Sequence, residues 1–194
     1  LFATYLMGGC SSDKIYVDKE VEEVLLVYLG GDNDLSSESQ AKLEAITVGW
    51  EESFTQKVLI YQDILAFAPT LLEVGGDFVE SNKEENSADA QVFARVLRKT
   101  KALYPGARFN LLVFSHASGW LPPGYYTAPT TRSIIADGVS EMAMKDFANA
   151  IPDGMFDCIY FEACFMTGVE VAYELRAKAR SVAGSSAEIV APGF

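Results

Sequence analysis

The sequence predicts an α/β protein with a mostly parallel central sheet, and three observations carry that expectation. Four short apolar runs recur along the chain, each nearly continuous rather than alternating with polar residues, which is the pattern of parallel strands covered on both faces. Helix-like stretches fall between the runs, and strands that alternate with helices imply right-handed crossovers. With 194 residues and 49% hydrophobic content, the chain suffices for one full-sized α/β domain and is far too apolar for disorder.

The apolar runs are Val24–Leu29, Lys57–Tyr61, Phe109–Phe114 and Asp157–Phe161. Between the second and third, Thr70–Val74 and Phe78–Glu80 flank Gly75-Gly76-Asp77. These segments read as a hairpin decorating a sheet edge. The clearest helix spans Ser87–Leu103, with Ala90, Phe93, Ala94, Leu97 and Leu103 at helical spacing and a stop at Pro105-Gly106. Leu121–Thr130, with three prolines and a glycine, reads as a loop rather than a linker. A second helix is expected over Thr167–Ala179, and a fifth strand before Ser185. The sequence shows neither an internal repeat nor a low-complexity segment, so residues 24–194 read as one domain, expected to be incomplete at its C-terminus.

The first ten residues end in Gly8-Gly9-Cys10 after an apolar stretch, and Ser11-Ser12-Asp13 follow. This pattern resembles the tail of a bacterial lipoprotein signal peptide, with small residues beside the cut and a thiol that can take a diacylglyceryl group. It predicts export, lipidation at Cys10 and a tether over residues 11–23, leading to a cell-envelope lipoprotein or a secreted protein. The alternative is a short buried strand and turn. With Cys10 lipidated, only Cys158 and Cys164 remain. Six extended residues at about 3.3 Å each hold their Cα atoms roughly 20 Å apart, beyond disulfide reach. The net charge of −12 is spread without a basic run, which excludes nucleic acid as a natural partner.

In open α/β sheets, functional groups gather beyond the carboxyl ends of the strands. The first run leads into Gly30-Gly31-Asp32-Asn33-Asp34-Leu35, the third into Ser115-His116-Ala117-Ser118-Gly119-Trp120, and the fourth into Glu162-Ala163-Cys164-Phe165-Met166. The sole histidine and one cysteine thus fall at equivalent edges of neighbouring strands. Imidazole is well suited to activate a thiol, and the N-terminus of the following helix adds partial positive charge. One His and one Cys, without Cys-x-x-Cys, cannot fill a structural zinc site. Asp32-Asn33-Asp34 offers oxygen ligands to calcium without the EF-hand pattern, and a solvated turn with a helix cap is the alternative. Gly30-Gly31 lacks both the spacing and the following Lys-Ser or Lys-Thr of a phosphate-binding loop. No metal or cofactor is therefore assigned.

Three segments together resemble the clostripain-like cysteine peptidases: Tyr28–Leu35, the histidine motif Phe114–Trp120, and the nucleophile motif Glu162–Leu175. The resemblance covers Val24–Phe194 and implies a caspase-like three-layer α/β/α sandwich. It also implies a cysteine endopeptidase that cleaves after Arg or Lys, acting on peptide or protein substrates. In it, Cys164 is the nucleophile, His116 its base, and the backbone amides of Ala117 and Cys164 the oxyanion donors. Glu162, two residues before the cysteine, is implied to select the basic residue, with Asn33 and Ser185 or Ser186 completing the pocket. Internal cleavage in the family makes Arg132 and Lys145 candidate processing sites.

The sequence departs from the family pattern with Ala117 for Gly, Glu162 for Asp and Phe165 for Leu. If the residue after His116 takes positive φ, alanine there is strained and the oxyanion site is displaced. The competing readings are a catalytically inactive caspase-like surface binding module, and a thiol amidase or transpeptidase acting on a non-protein substrate.

Overall fold

The computed structural model describes residues 21–65, 67–76, 78–119 and 134–190. The expected lipidation site Cys10, most of the tether, the Leu121–Thr130 loop and Arg132 lie outside the described residues. The chain begins with β1 (Glu23–Gly31), α1 (Ser36–Gly49) and β2 (Lys57–Ile64), followed by the hairpin β3 (Thr70–Glu73) and β4 (Phe78–Ser81). Next come α2 (Ala90–Leu103), β5 (Arg108–Phe114), a short hairpin of β6 (Ile135–Asp137) and β7 (Ser140–Met142), and α3 (Met144–Ala150). It closes with β8 (Phe156–Glu162), α4 (Val169–Leu175) and β9 (Ala179–Ala183).

Among the described residues, seven strands form one sheet in the order β4-β3-β2-β1-β5-β8-β9. β2, β1, β5, β8 and β9 run parallel, and the antiparallel β3–β4 hairpin sits at one edge, as expected. The continuous apolar runs form the middle of the sheet because both faces there are covered. Leu26, Tyr28, Leu111, Val113, Ile159 and Phe161 pack beneath α2, α3 and α4, against Phe93, Val96, Leu97, Phe147, Val171 and Leu175. Val27, Leu29, Ile60 and Phe114 face the opposite way, toward Leu43, Ile46 and Trp50 at α1. Phe93 stacks on Phe147 with ring centroids 4.6 Å apart and meets Tyr28 edge-on at 5.1 Å. Full burial of each such side chain contributes about 1.5–3 kcal/mol. The result is a mostly parallel sheet between two helical layers.

Three elements differ from expectation. The helix expected from Ser87 starts at Ala90, because the Asp89 side chain caps it by accepting from the Gln91 amide. Ser87 is instead wholly buried, accepting from Tyr28 Oη through its carbonyl and donating its own amide to Asp137. The helix expected over Thr167–Ala179 is confined to Val169–Leu175, since the Thr167 amide bonds Ser185 O and Ala179 already pairs in β9. α1 was expected only as one of the helix-like stretches between strands and was given no bounds: its only fully buried residue is Ser39, so it lacks an apolar stripe that periodicity can detect.

Candidate active site

The β5–β8 register sets the geometry of the site. Phe114 pairs with Glu162 in parallel, so His116 and Cys164 each stand two residues beyond a matched pair, on strands spaced about 4.8 Å apart. The loops that carry them also touch. Gly119 has φ +67°, and a Cβ built there would lie 2.4 Å from the Phe165 carbonyl oxygen. Phe165 is itself in the left-handed region at φ 61°, the one non-glycine residue there among the described residues. The backbone strain expected after His116 therefore falls after Cys164 instead. Ala117 is nearly buried and its φ is not positive.

His116 directs Nε2 at Asp34 Oδ1, 2.6 Å away. With the neutral ring donating there, Nδ1 is left as the basic nitrogen. Asp34 is placed by the turn after β1, where the neighbouring Asn33 donates to Ala136 O at 2.8 Å and accepts from the Leu35 amide at 2.8 Å. The Asn33 side chain thus anchors the loop rather than reaching toward a pocket. Ser115 ties the same region together, donating its hydroxyl to Gly30 O and accepting from the Ala136 amide.

Cys164 lies beside the segment that follows β9. Its Sγ accepts from the Ile189 amide at 3.4 Å and is 3.7 Å from Ile189 O. Two further bonds hold the segments together, from the Phe165 amide to Ala187 O at 3.1 Å and from the Thr167 amide to Ser185 O at 3.2 Å. Ser185 Oγ accepts from the Ala187 amide and so shapes its own turn, whereas Ser186 is exposed. Among the described residues, neither the Ala117 nor the Cys164 amide has a protein acceptor. Cys158 and Cys164 are both free thiols.

Glu162 alternates along β8 with the core residue Phe161 and therefore faces the α1 side of the sheet. Its Oε2 is 2.5 Å from Lys42 Nζ, and the two side chains are only 12% and 15% exposed. Lys42 Nζ also lies 4.9 Å from the centre of the Phe114 ring.

A second polar cluster lies at the ends of β1 and β2. One carboxylate oxygen each of Asp32, Asp63 and Glu84 lie within 4.8 Å of one another. Asp63 is almost completely buried and shares the Ser87 amide with Asp137, at 3.1 Å and 2.6 Å. Burial, reinforced by the Asp137 charge, pushes the Asp63 carboxyl up to about 8. The calcium loop considered from the sequence is not formed as such, because Asn33 and Asp34 are turned to other partners and only Asp32 joins the cluster. Carboxylate oxygens at this spacing have the chemistry of a hard-cation site, while a proton on Asp63 relieves the same repulsion without an ion.

Sequence reasoning missed Asp34 and Lys42. Each comes from the far end of a long-range contact, 82 residues from His116 in the first case, and neither lies in a pattern that signals such a partner. The nearest hint was the placement of Asp34 beside Asn33 in a strand-end loop.

The fold agrees with comparisons to known proteins. The model of the clostripain family matches residues 27–194. The chain belongs to the clostripain family. Its members are cysteine proteases, and the caspase-like α/β/α architecture is shared with solved C11 proteases. An inactive zymogen C11 protease from Parabacteroides distasonis is 30% identical, with a TM-score of 0.76 over 92% of this chain and 52% of that one. A secreted C11 cysteine protease from Bacteroides thetaiotaomicron, solved with an irreversible peptide inhibitor, is also 30% identical, with a TM-score of 0.76 over 89% of this chain and 51% of that one. A further Bacteroides thetaiotaomicron structure, iotapain, shares the fold at 19% identity, with a TM-score of 0.77 over 91% of this chain and 55% of that one. This clostripain-family chain thus spans about half the length of these three structures. No curated protein matches it. Among the described residues, no helix is long and apolar enough to cross a membrane.

Proposed function

We propose that this chain carries the catalytic centre of a cysteine endopeptidase that cleaves after Arg or Lys. The observation that carries this reading is the matched exit of His116 and Cys164 from adjacent parallel strands, with Gly119 packed on Phe165 to hold the two loops together. His116 Nδ1 takes the thiol proton as Cys164 Sγ attacks the peptide carbonyl and the C–S bond forms. The Ala117 and Cys164 amides bind the resulting oxyanion, where one well-placed donor is worth about 10²–10³ in rate. As the C–N bond breaks, His116 returns the proton to the leaving amine, which leaves a thioester. Water then attacks the thioester carbonyl, losing a proton to His116, and the thiol departs. This sequence needs no cofactor.

Glu162 is the selector in this reading; its carboxylate already holds one ammonium, that of Lys42, which shows that the site accepts a cation and also that a basic substrate must share it. Ser186 and the edge around Ser185 lie close enough to the Cys164 loop to contact substrate. Of the two candidate processing sites, Lys145 is exposed in the first turn of α3 and needs local unwinding before it can enter a protease site. That favours Arg132. Export is the localisation this reading carries, supported by the secreted relative, and lipidation at Cys10 is proposed with it on the Gly8-Gly9-Cys10 pattern alone.

The test is turnover of matched fluorogenic peptides ending in Arg, Lys, Ala or Asp by the full natural chain and its Cys164→Ala variant. Turnover after Arg and Lys that disappears in the variant supports the peptidase. No turnover of any peptide favours the binding module, and turnover of non-peptide amides alone favours an amidase.

A further inference from the structure

We infer that Lys42 sets the choice between arginine and lysine at this site by holding one carboxylate oxygen of Glu162. This rests on the basic-residue reading above and names a specificity determinant within it. The ion pair is close, at 2.5 Å from Nζ to Oε2, and it is mostly removed from water. A guanidinium outbids an ammonium at a carboxylate chiefly because its planar fork engages both oxygens at once. With Oε2 held by Lys42, an incoming Arg and an incoming Lys each meet one remaining oxygen, and the advantage of the fork is lost.

The surroundings suit a resident cation. The Phe114 ring lies 4.9 Å from Nζ and favours positive charge on its face. Lys42 also offsets the Glu162 charge, so its presence weakens the pull on every basic substrate. Removing it restores both oxygens and the full charge to the substrate, and arginine gains most.

The experiment compares kcat/KM for matched Arg, Lys and Ala peptides on the full natural chain, its Lys42→Met and Lys42→Arg variants, and Glu162→Gln as a control. Methionine keeps an apolar stem against Phe114 while removing the charge. In Lys42→Met the Arg-to-Lys ratio should rise about tenfold, mostly through KM, the size expected for one added charge-assisted hydrogen bond. In Lys42→Arg the new guanidinium should occupy both oxygens and lower kcat/KM for the Arg and Lys peptides by a larger factor than for the Ala peptide. If Lys42→Met does not fold, this second variant decides the matter. Loss of basic preference in Glu162→Gln with no change in either Lys42 variant would overturn the inference and leave the basic-residue reading intact. Absence of any basic preference in the unsubstituted protein would overturn both.

Discussion

At the scale of single residues, the site depends on partners that hold the reacting groups in place. Cys164 and His116 were legible in the sequence because each stands alone of its kind at a strand end. Asp34 was not, because only the folded chain brings it to within 2.6 Å of Nε2. In the proposed mechanism its role is positioning: it fixes the imidazole tautomer that leaves Nδ1 free for the thiol. Asp34 is 84% exposed, so water can partly replace it. Asp34→Asn should therefore lower kcat only about three- to tenfold, with KM unchanged. A loss as deep as that of His116→Ala, or full activity, would show that the contact has another role. Lys42 was invisible for a related reason, since a lone lysine on a helix without an apolar stripe reads as a solvated charge.

At the scale of elements, the strands were readable and the polar helix was not. Continuous apolar runs such as Val24–Leu29 identify a strand buried on both faces, whereas α1 buries little and leaves no periodic trace. The β6–β7 hairpin was missed because three-residue strands are too short to show alternation. α4 was overextended at both ends, because the Thr167 amide is used in a loop-to-loop bond that no local pattern reveals. The loops around the site also show why glycine is needed at position 119. Alanine there must hold positive φ, at a cost of about 1–2 kcal/mol, and its Cβ would meet the Phe165 carbonyl oxygen at 2.4 Å. Gly119→Ala is predicted to cut kcat/KM by tenfold or more, as the His116 loop is pushed off the Cys164 loop. It should leave the far-ultraviolet circular dichroism of the folded protein unchanged. Full activity in this variant would mean that the two loops need not touch.

At the scale of the whole molecule, the acidic cluster around the buried Asp63 links stability to pH. Burial and the Asp137 charge raise the Asp63 carboxyl to about 8 in the folded chain, while the unfolded chain releases that proton near 4. A raised native pKa gives a contribution that is complete below the unfolded value and is lost as pH rises through the native one. Melting temperature should therefore decline between about pH 4 and pH 8 from this group. Asp63→Asn should flatten that slope and raise Tm at pH 8 by roughly 2–4 °C for each kcal/mol of relieved repulsion. Scanning calorimetry from pH 5 to 9 checks the sign, and a Tm that rises through this window with an unchanged slope in Asp63→Asn contradicts it. None of this was readable in the sequence, since Asp32, Asp63, Glu84 and Asp137 come from four separate segments.

The most direct measurement is covalent capture. The full natural chain would be treated with a peptidyl acyloxymethyl ketone ending in Lys or Arg, beside the matched compound ending in Asp, and the adduct located by mass spectrometry of the digested protein. The account predicts one adduct, on Cys164, formed with the basic compounds, suppressed by His116→Ala and absent with the acidic one. Labelling of Cys158 and Cys164 alike, or equal labelling by the acidic compound, would contradict it.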